Sequence, residues 1–159
     1  MPTKKDGRGV RRVDRDRLDS FWERAGYSRE FGCYLFGMQH GHAFTPFYVG
    51  KTARQQFERE CFTAHKRTYF NEVLAADRGR RRPVLLLVVR TRRHRGRPEK
   101  DIDRMETWLI AQAKSVNPKL KNKSKVRPET WGIAGVVRSD GRRPTAAARI
   151  LRRALGIAS

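Results

Sequence analysis

Apolar residues fall in runs whose spacing changes several times along the chain, and each change marks an element. Leu18, Phe21, Trp22 and Ala25 recur at helical spacing between Asp14 and Gly26, which predicts a short helix stopped by the glycine. Residues 31–38 are nearly continuous in apolar character through Cys33, Tyr34, Leu35 and Phe36, and predict a strand. Residues 39–46, with Gly41 and Pro46, read as a turn or loop. Phe47, Tyr48 and Val49 form a second strand ended by Gly50, so the pair predicts an antiparallel hairpin with a loop of several residues.

After Gly50 the period becomes helical. Phe57, Cys61 and Ala64 share one face, and Tyr69, Val73 and Leu74 follow on a continuing or a second helix. Residues 78–83 are a basic turn, residues 83–91 a buried strand, and residues 92–98 another basic loop. Residues 99–116 give the clearest helix. Pro98 sits at its start, acidic residues crowd its first turn, and Ile102, Met105, Trp108, Leu109 and Ala113 form its apolar stripe. Asn117-Pro118 stops it. A lysine-rich loop follows over 119–127, then a short strand or extended segment over 131–137. A final amphipathic helix over 144–155 turns Ala147, Ile150, Leu151 and Leu155 inward and Arg149, Arg152 and Arg153 outward. Three strands bracketed by helices predict a small mixed α/β or α+β domain, with no internal repeat.

Length and charge refine this picture. A chain of 159 residues suits one domain with modest extensions. Boundaries are expected at 1–13 (a basic flexible N-terminus), 14–27 (a helical extension), 30–122 (the main domain) and 123–159 (a C-terminal extension with the basic helix). The formal charge is +21, and such an excess opposes compaction unless a polyanion is present. DNA is the expected partner, with RNA as the other polyanion, because lysine and arginine on phosphates release counterions. Clustered apolar residues such as Leu85 to Val89 exclude a disordered basic tail. No stretch reaches transmembrane length, and the charged first twelve residues are unlike a secretory signal. Two cysteines, Cys33 and Cys61, lack CxxC or zinc-finger spacing and read as small buried hydrophobes in a reducing interior. The expected location is therefore cytoplasmic, with nucleoid association consistent with the charge. Nothing in the sequence identifies a protein partner.

The candidate chemistry lies on the hairpin and the long helix. Gly32-Cys33-Tyr34 and Tyr48-Val49-Gly50 can bring two phenols towards one point, since alternate strand residues share a face. Lys51 follows at the strand end, and Arg54, Arg59 and His65 lie on the helix behind. Glu106 projects from an otherwise apolar side, among Ile102, Leu109 and Ile110, and is costly there unless a cation meets it.

These residues resemble the GIY-YIG nuclease family, with Gly32-Cys33-Tyr34 as the first motif and Tyr48-Val49-Gly50 as the second. The resemblance runs from Phe31 to about Asn122 and takes in Lys51-Thr52, the basic helix, the third strand, Glu106 and Asn117-Pro118. It implies an α+β fold, a small three-stranded antiparallel sheet flanked by helices, here with N-terminal and C-terminal helical extensions. It also implies phosphodiester hydrolysis with one divalent metal, Mg²⁺ or another such as Mn²⁺, held by Glu106. Tyr34 or Tyr48, lowered in pKa by neighbouring cations, would take a proton from the attacking water; Lys51 or a helix arginine would stabilise the added negative charge. Gly32 and Gly50 would support the hairpin, and Asn117 would stand behind the site or near the metal. The phenols and the carboxylate are expected to face one shared cleft. The family's catalytic arginine lies ten residues after the first residue of the second motif, where this chain has Glu58. Arg59 is one further on, Arg54 is the other choice, and His65 lies near the usual aromatic or histidine. The stretch from Phe57 to Lys66 is similar to one in some members.

Blander readings stand beside these. Tyr34 and Tyr48 suit strands as core aromatics. Glu106 could pair with Arg104 or Lys114, and Asp101 and Asp103 suit a helix N-terminus. His40 and His42 in a glycine-containing loop lack a third metal ligand and read as solvent-exposed. Arg54, Lys66, Arg67, Arg80, Arg81, Arg92, Arg93, Lys121 and Lys123 are the expected phosphate contacts. The rival to an enzyme is a non-catalytic basic nucleic-acid-binding protein with the same fold.

Overall fold

The computed structural model describes residues 1–90, 98–122, 133, 136 and 145–157. The first surprise is at the N-terminus, expected to be flexible. β1 (Thr3–Lys5) and β2 (Arg11–Val13) form an antiparallel hairpin. Asp6 makes its turn: the carboxylate accepts from the backbone N–H groups of Arg8 and Val10, and the carbonyl accepts from Gly9, whose φ is +75°. Distant residues anchor the hairpin. Val13 N donates to Asn71 Oδ1 at 2.8 Å, and Arg11 Nη2 donates to Asp77 Oδ2 at 2.9 Å. A 3-10 turn (Arg15–Arg17), capped by Asp14, leads into α1 (Leu18–Ala25), which ends on Gly26 at φ +71°.

β3 (Gly32–His40), β4 (Ala43–Thr52) and β5 (Arg82–Val89) form an antiparallel sheet in the order β4-β3-β5. Residues 39–46 are therefore not a loop. His40 pairs with Ala43, leaving a two-residue turn of Gly41 and His42, with Gly41 at φ +54°. The register shifts between Phe36 and Gly37, which pair with Tyr48 and Pro46 and leave Phe47 as the extra residue. Pro46 is tolerated because β4 is an edge strand.

β3 is buried from Gly32 to Met38, and its alternating side chains feed two cores. Tyr34, Phe36 and Met38 pack with Trp22 of α1, Phe57 of α2 (Phe57–Glu60), and Phe70 and Leu74 of α3 (Ala64–Ala76). Cys33 and Leu35 pack with Val49, Leu86 and Val88, and with Ile102, Leu109 and Ala113 of α4 (Pro98–Val116). Leu151, Ala154 and Leu155 join this second core from α5 (Ala146–Ala154) and the residue after it. The architecture is α+β, with helices on both faces of a three-stranded sheet. In α5 Ala154 takes an inward place, while Ala147, expected inward, is exposed. The basic loop 92–97 and most of 123–144 lie outside the described residues; Ile133 and Val136 pack against the α4 core. No helix among the described residues is long and apolar enough to cross a membrane.

Candidate functional site

Two phenols come together because the hairpin register demands it. Tyr34 pairs with Gly50 and Phe36 with Tyr48, so the tyrosines sit diagonally on one face, with ring centroids 6.1 Å apart. Gly50 makes room: a Cβ there would lie 2.3 Å from Tyr34 Cζ and 2.4 Å from its hydroxyl. Gly32 is equally constrained, since its Cβ would meet the Val88 carbonyl oxygen at 2.1 Å. Tyr34 is fully buried, and its hydroxyl has no hydrogen-bond partner in the structure. Its polar neighbour is the Tyr48 hydroxyl.

Cations do not lower these phenols. Burial pushes Tyr34 far above the ordinary tyrosine range, and the neighbouring Tyr48 adds to it. Burial also raises Tyr48, followed by the negative charge of Glu106. Instead of the expected lowering by cations, burial raises both phenols. A cation is present, however. Lys66 Nζ lies 5.6 Å from the Tyr34 ring centroid, forms an ion pair with Glu60, and donates to the Glu60 carbonyl at 2.9 Å. Its side chain is only 12% exposed, so it serves the interior rather than the outer basic surface.

Strand parity places the second centre in the other layer. Lys51 pairs with Cys33 on the α4 side, and its Nζ bridges Asp103 Oδ1 at 2.8 Å and Glu106 Oε2 at 3.0 Å. This is the cation that the apolar stripe around Glu106 requires. Burial opposes the ammonium form of Lys51, but the two carboxylates overcome it and raise the pKa. Cys33 lies in the same field. Its thiol is pushed well up, first by burial and then by Glu106, so it is unreactive. The expected single cleft is thus corrected to two clusters on opposite faces of the sheet at one end of β4. Glu106 and the Tyr48 hydroxyl communicate by charge across that strand.

The edge of β4 is closed by the residues after α4. Asn117 Nδ2 donates to the Pro46 carbonyl at 2.7 Å, and its Oδ1 accepts from Lys119 N. Asn117 follows Glu106 by eleven residues, about 16 Å along a helix, so it braces the strand rather than the carboxylate. Asn122 mimics a paired strand, accepting from Val49 N at 2.9 Å and donating to Val49 O at 2.7 Å.

Arg59, His65 and Arg54 do not join the tyrosines. Arg59 is exposed and lines a cavity with α1 residues, His65 is exposed on α3, and Arg54 is 86% exposed near Glu99. Sequence reasoning gave Glu60 no part in the site and put Lys66 on the outer surface, because a single helix would put the two on different faces. The break at residues 61–63 folds them together.

Among the expected phosphate contacts, Arg81 is committed to Asp77 and to the Phe47 ring, Arg67 to the Phe62 carbonyl, and Lys121 to the Tyr69 ring and Glu72. Arg80 is exposed; Arg92, Arg93 and Lys123 lie outside the described residues. His40 and His42 are exposed, and among the described residues no group of three or more His, Cys, Asp or Glu converges as a metal cage. A separate apolar cavity of about 670 Å³ runs along β5 and is not lined by either tyrosine. Comparison with protein-family models, curated proteins and solved structures gives no match to this chain.

Proposed function

We propose that the chain is a metal-dependent endonuclease of the GIY-YIG type that hydrolyses DNA phosphodiester bonds. One observation carries the reading: near the end of β4, Lys51 bridges Asp103 and Glu106 on one face, and the charge of Glu106 reaches the Tyr48 hydroxyl on the other. The donor set fits a divalent cation. Asp103 and Glu106 stand about one helical turn apart and already converge on a positive charge, and Mg²⁺ needs few carboxylates because it keeps several waters. Glu106, with Asp103 beside it, would hold Mg²⁺ or Mn²⁺. The ion, when bound, supplies charge neutralisation at the scissile phosphate and the leaving oxygen.

The chain's own groups act around it. With its raised pKa, Tyr48 is a hydrogen-bond donor that orients the phosphate or the attacking water, and fully buried Tyr34 packs behind it. Lys51 stabilises the negative charge that builds up in the transition state. Plasmid nicking with Mg²⁺ tests this. Glu106→Gln is expected to lose at least about 10² in rate while keeping DNA affinity within about threefold. Nicking by Glu106→Gln at the wild-type rate would sink the proposal.

The second reading, a basic DNA-binding protein without turnover, is favoured by Arg59 pointing away from the phenols. In that case wild type and Glu106→Gln bind equally and neither nicks.

A further inference from the structure

Arg59 points into a cavity of about 630 Å³ between α1 and the turn around α2. Its walls carry four arginines, Arg15, Arg29, Arg59 and Arg67, drawn from four separate segments. Arg15, Arg29 and Arg59 form no ion pair within the described structure, and Arg67 uses one nitrogen on the Phe62 carbonyl. Asp19, Glu23 and Glu58 line the cavity too, yet none is paired with an arginine there. Arg15, Arg29 and Arg59 therefore have donors open to a ligand, while the three carboxylates offset much of the cavity's positive charge.

The floor is aromatic. Trp22 and Phe62 are almost fully buried, 5.7 Å apart between ring centroids. An aromatic floor strengthens an ionic contact made against it. Planar guanidiniums suit bidentate contact with phosphate oxygens. The cavity is lined by neither Tyr34 nor Tyr48, and two buried rings stand between it and Tyr48. Phe62 touches Phe70 at 6.1 Å between centroids, and Phe70 touches Tyr48 at 6.1 Å.

We infer that this cavity is a phosphate-binding subsite for a nucleic-acid strand, distinct from the tyrosine cluster. The inference rests on nucleic acid being the ligand proposed above, and it does not require hydrolysis. It gives α1 a role as the wall that completes a strand-gripping site, and it turns Arg59 from a reacting group into a binding one.

The test measures binding of a short fluorescein-labelled DNA in EDTA across a salt series. Arg15→Ala/Arg59→Ala is compared with Arg24→Ala/Arg149→Ala, which removes two exposed arginines outside the cavity. The cavity variant is expected to bind about tenfold more weakly at low salt, with its salt slope reduced by about 2; the control should shift the slope by less than about 1. Arg15→Lys/Arg59→Lys should restore most of the slope, which separates lost contact from misfolding. Equal losses in the cavity and control variants overturn the proposal. So does tight binding of a mononucleotide, read by Trp22 fluorescence, with strand affinity unchanged in the cavity variant; that result would assign the cavity to a small ligand. Because binding is read without metal, failure of nicking bears on the hydrolytic reading alone.

Discussion

Lys51 holds two carboxylates at once, and the consequences reach the opposite face of the sheet. Glu106 raises the Tyr48 pKa, after burial, so removing its charge has a spectroscopic signature. In a tyrosinate absorbance titration, Glu106→Gln should bring one phenol midpoint down towards the ordinary value, and Tyr48→Phe should remove that component. An identical titration in Glu106→Gln and wild type would separate the two clusters. The sign for stability follows from linkage. A phenol raised in the folded state contributes stability below the unfolded tyrosine pKa of about 10, and this is lost as pH climbs beyond it. Thermal midpoints should therefore fall above about pH 10, less steeply in Tyr48→Phe. Gly50 gives a second residue-scale prediction. Gly50→Ala puts a methyl into the Tyr34 ring and should cost about 3 kcal/mol, while Gly7→Ala, with open space around it, should cost under about 0.5 kcal/mol. Denaturant unfolding midpoints check both.

At the scale of elements, β3, β5 and α4 were legible because burial sets their pattern: a continuous apolar run for a strand covered on both faces, and a 3.6-residue stripe for a helix covered on one. The strand ends at residues 39–46 were not, since Pro46 and Gly41 signal a loop unless the bulge and the edge position are known. The β1–β2 hairpin was invisible for a different reason. Its own residues are polar, and its hold comes from Asn71 and Asp77, which lie far along the chain. The site divides the same way. Tyr34, Tyr48, Lys51 and Glu106 could be found from strand parity and one isolated charge. The positions of Arg59 and Lys66 depended on where a one-turn helix breaks. Asp77 is the test of the hairpin. Burial would raise its carboxyl, but hydrogen bonds from Arg81 and the charge of Arg11 hold it below the usual range. A lowered carboxyl contributes stability above about pH 4 that disappears as pH falls. Asp77→Ala should cost about 2 kcal/mol, below the value for a fully buried pair because both arginines keep some solvent. It should also speed hydrogen exchange in residues 3–13. Unchanged exchange there would show that Arg11 does not anchor the hairpin.

For the whole molecule, the question is whether a charge of +21 is spread evenly or directed at a polyanion. Many cations are already engaged. Lys51, Lys66, Arg11, Arg81 and Arg90 each answer an internal carboxylate, so formal charge overstates what a ligand can feel. The cavity arginines, Arg80, and Arg149 and Arg153 on the outer face of α5 remain turned to solvent. A strand seated on the cavity would contact several of its arginines at once, and each neutralised phosphate releases condensed counterions. The affinity for duplex DNA should then fall with salt on a log–log plot with a slope of about −4 or steeper. Generic basic composition predicts a different result: a salt slope that does not distinguish DNA from another polyanion of similar charge density. Measuring the slope with DNA and with heparin decides between them. Directed binding requires that the Arg15→Ala/Arg59→Ala variant flatten the DNA slope more than the heparin slope. A path of phosphates fixed by the fold has a spacing that only one of the two polymers can match.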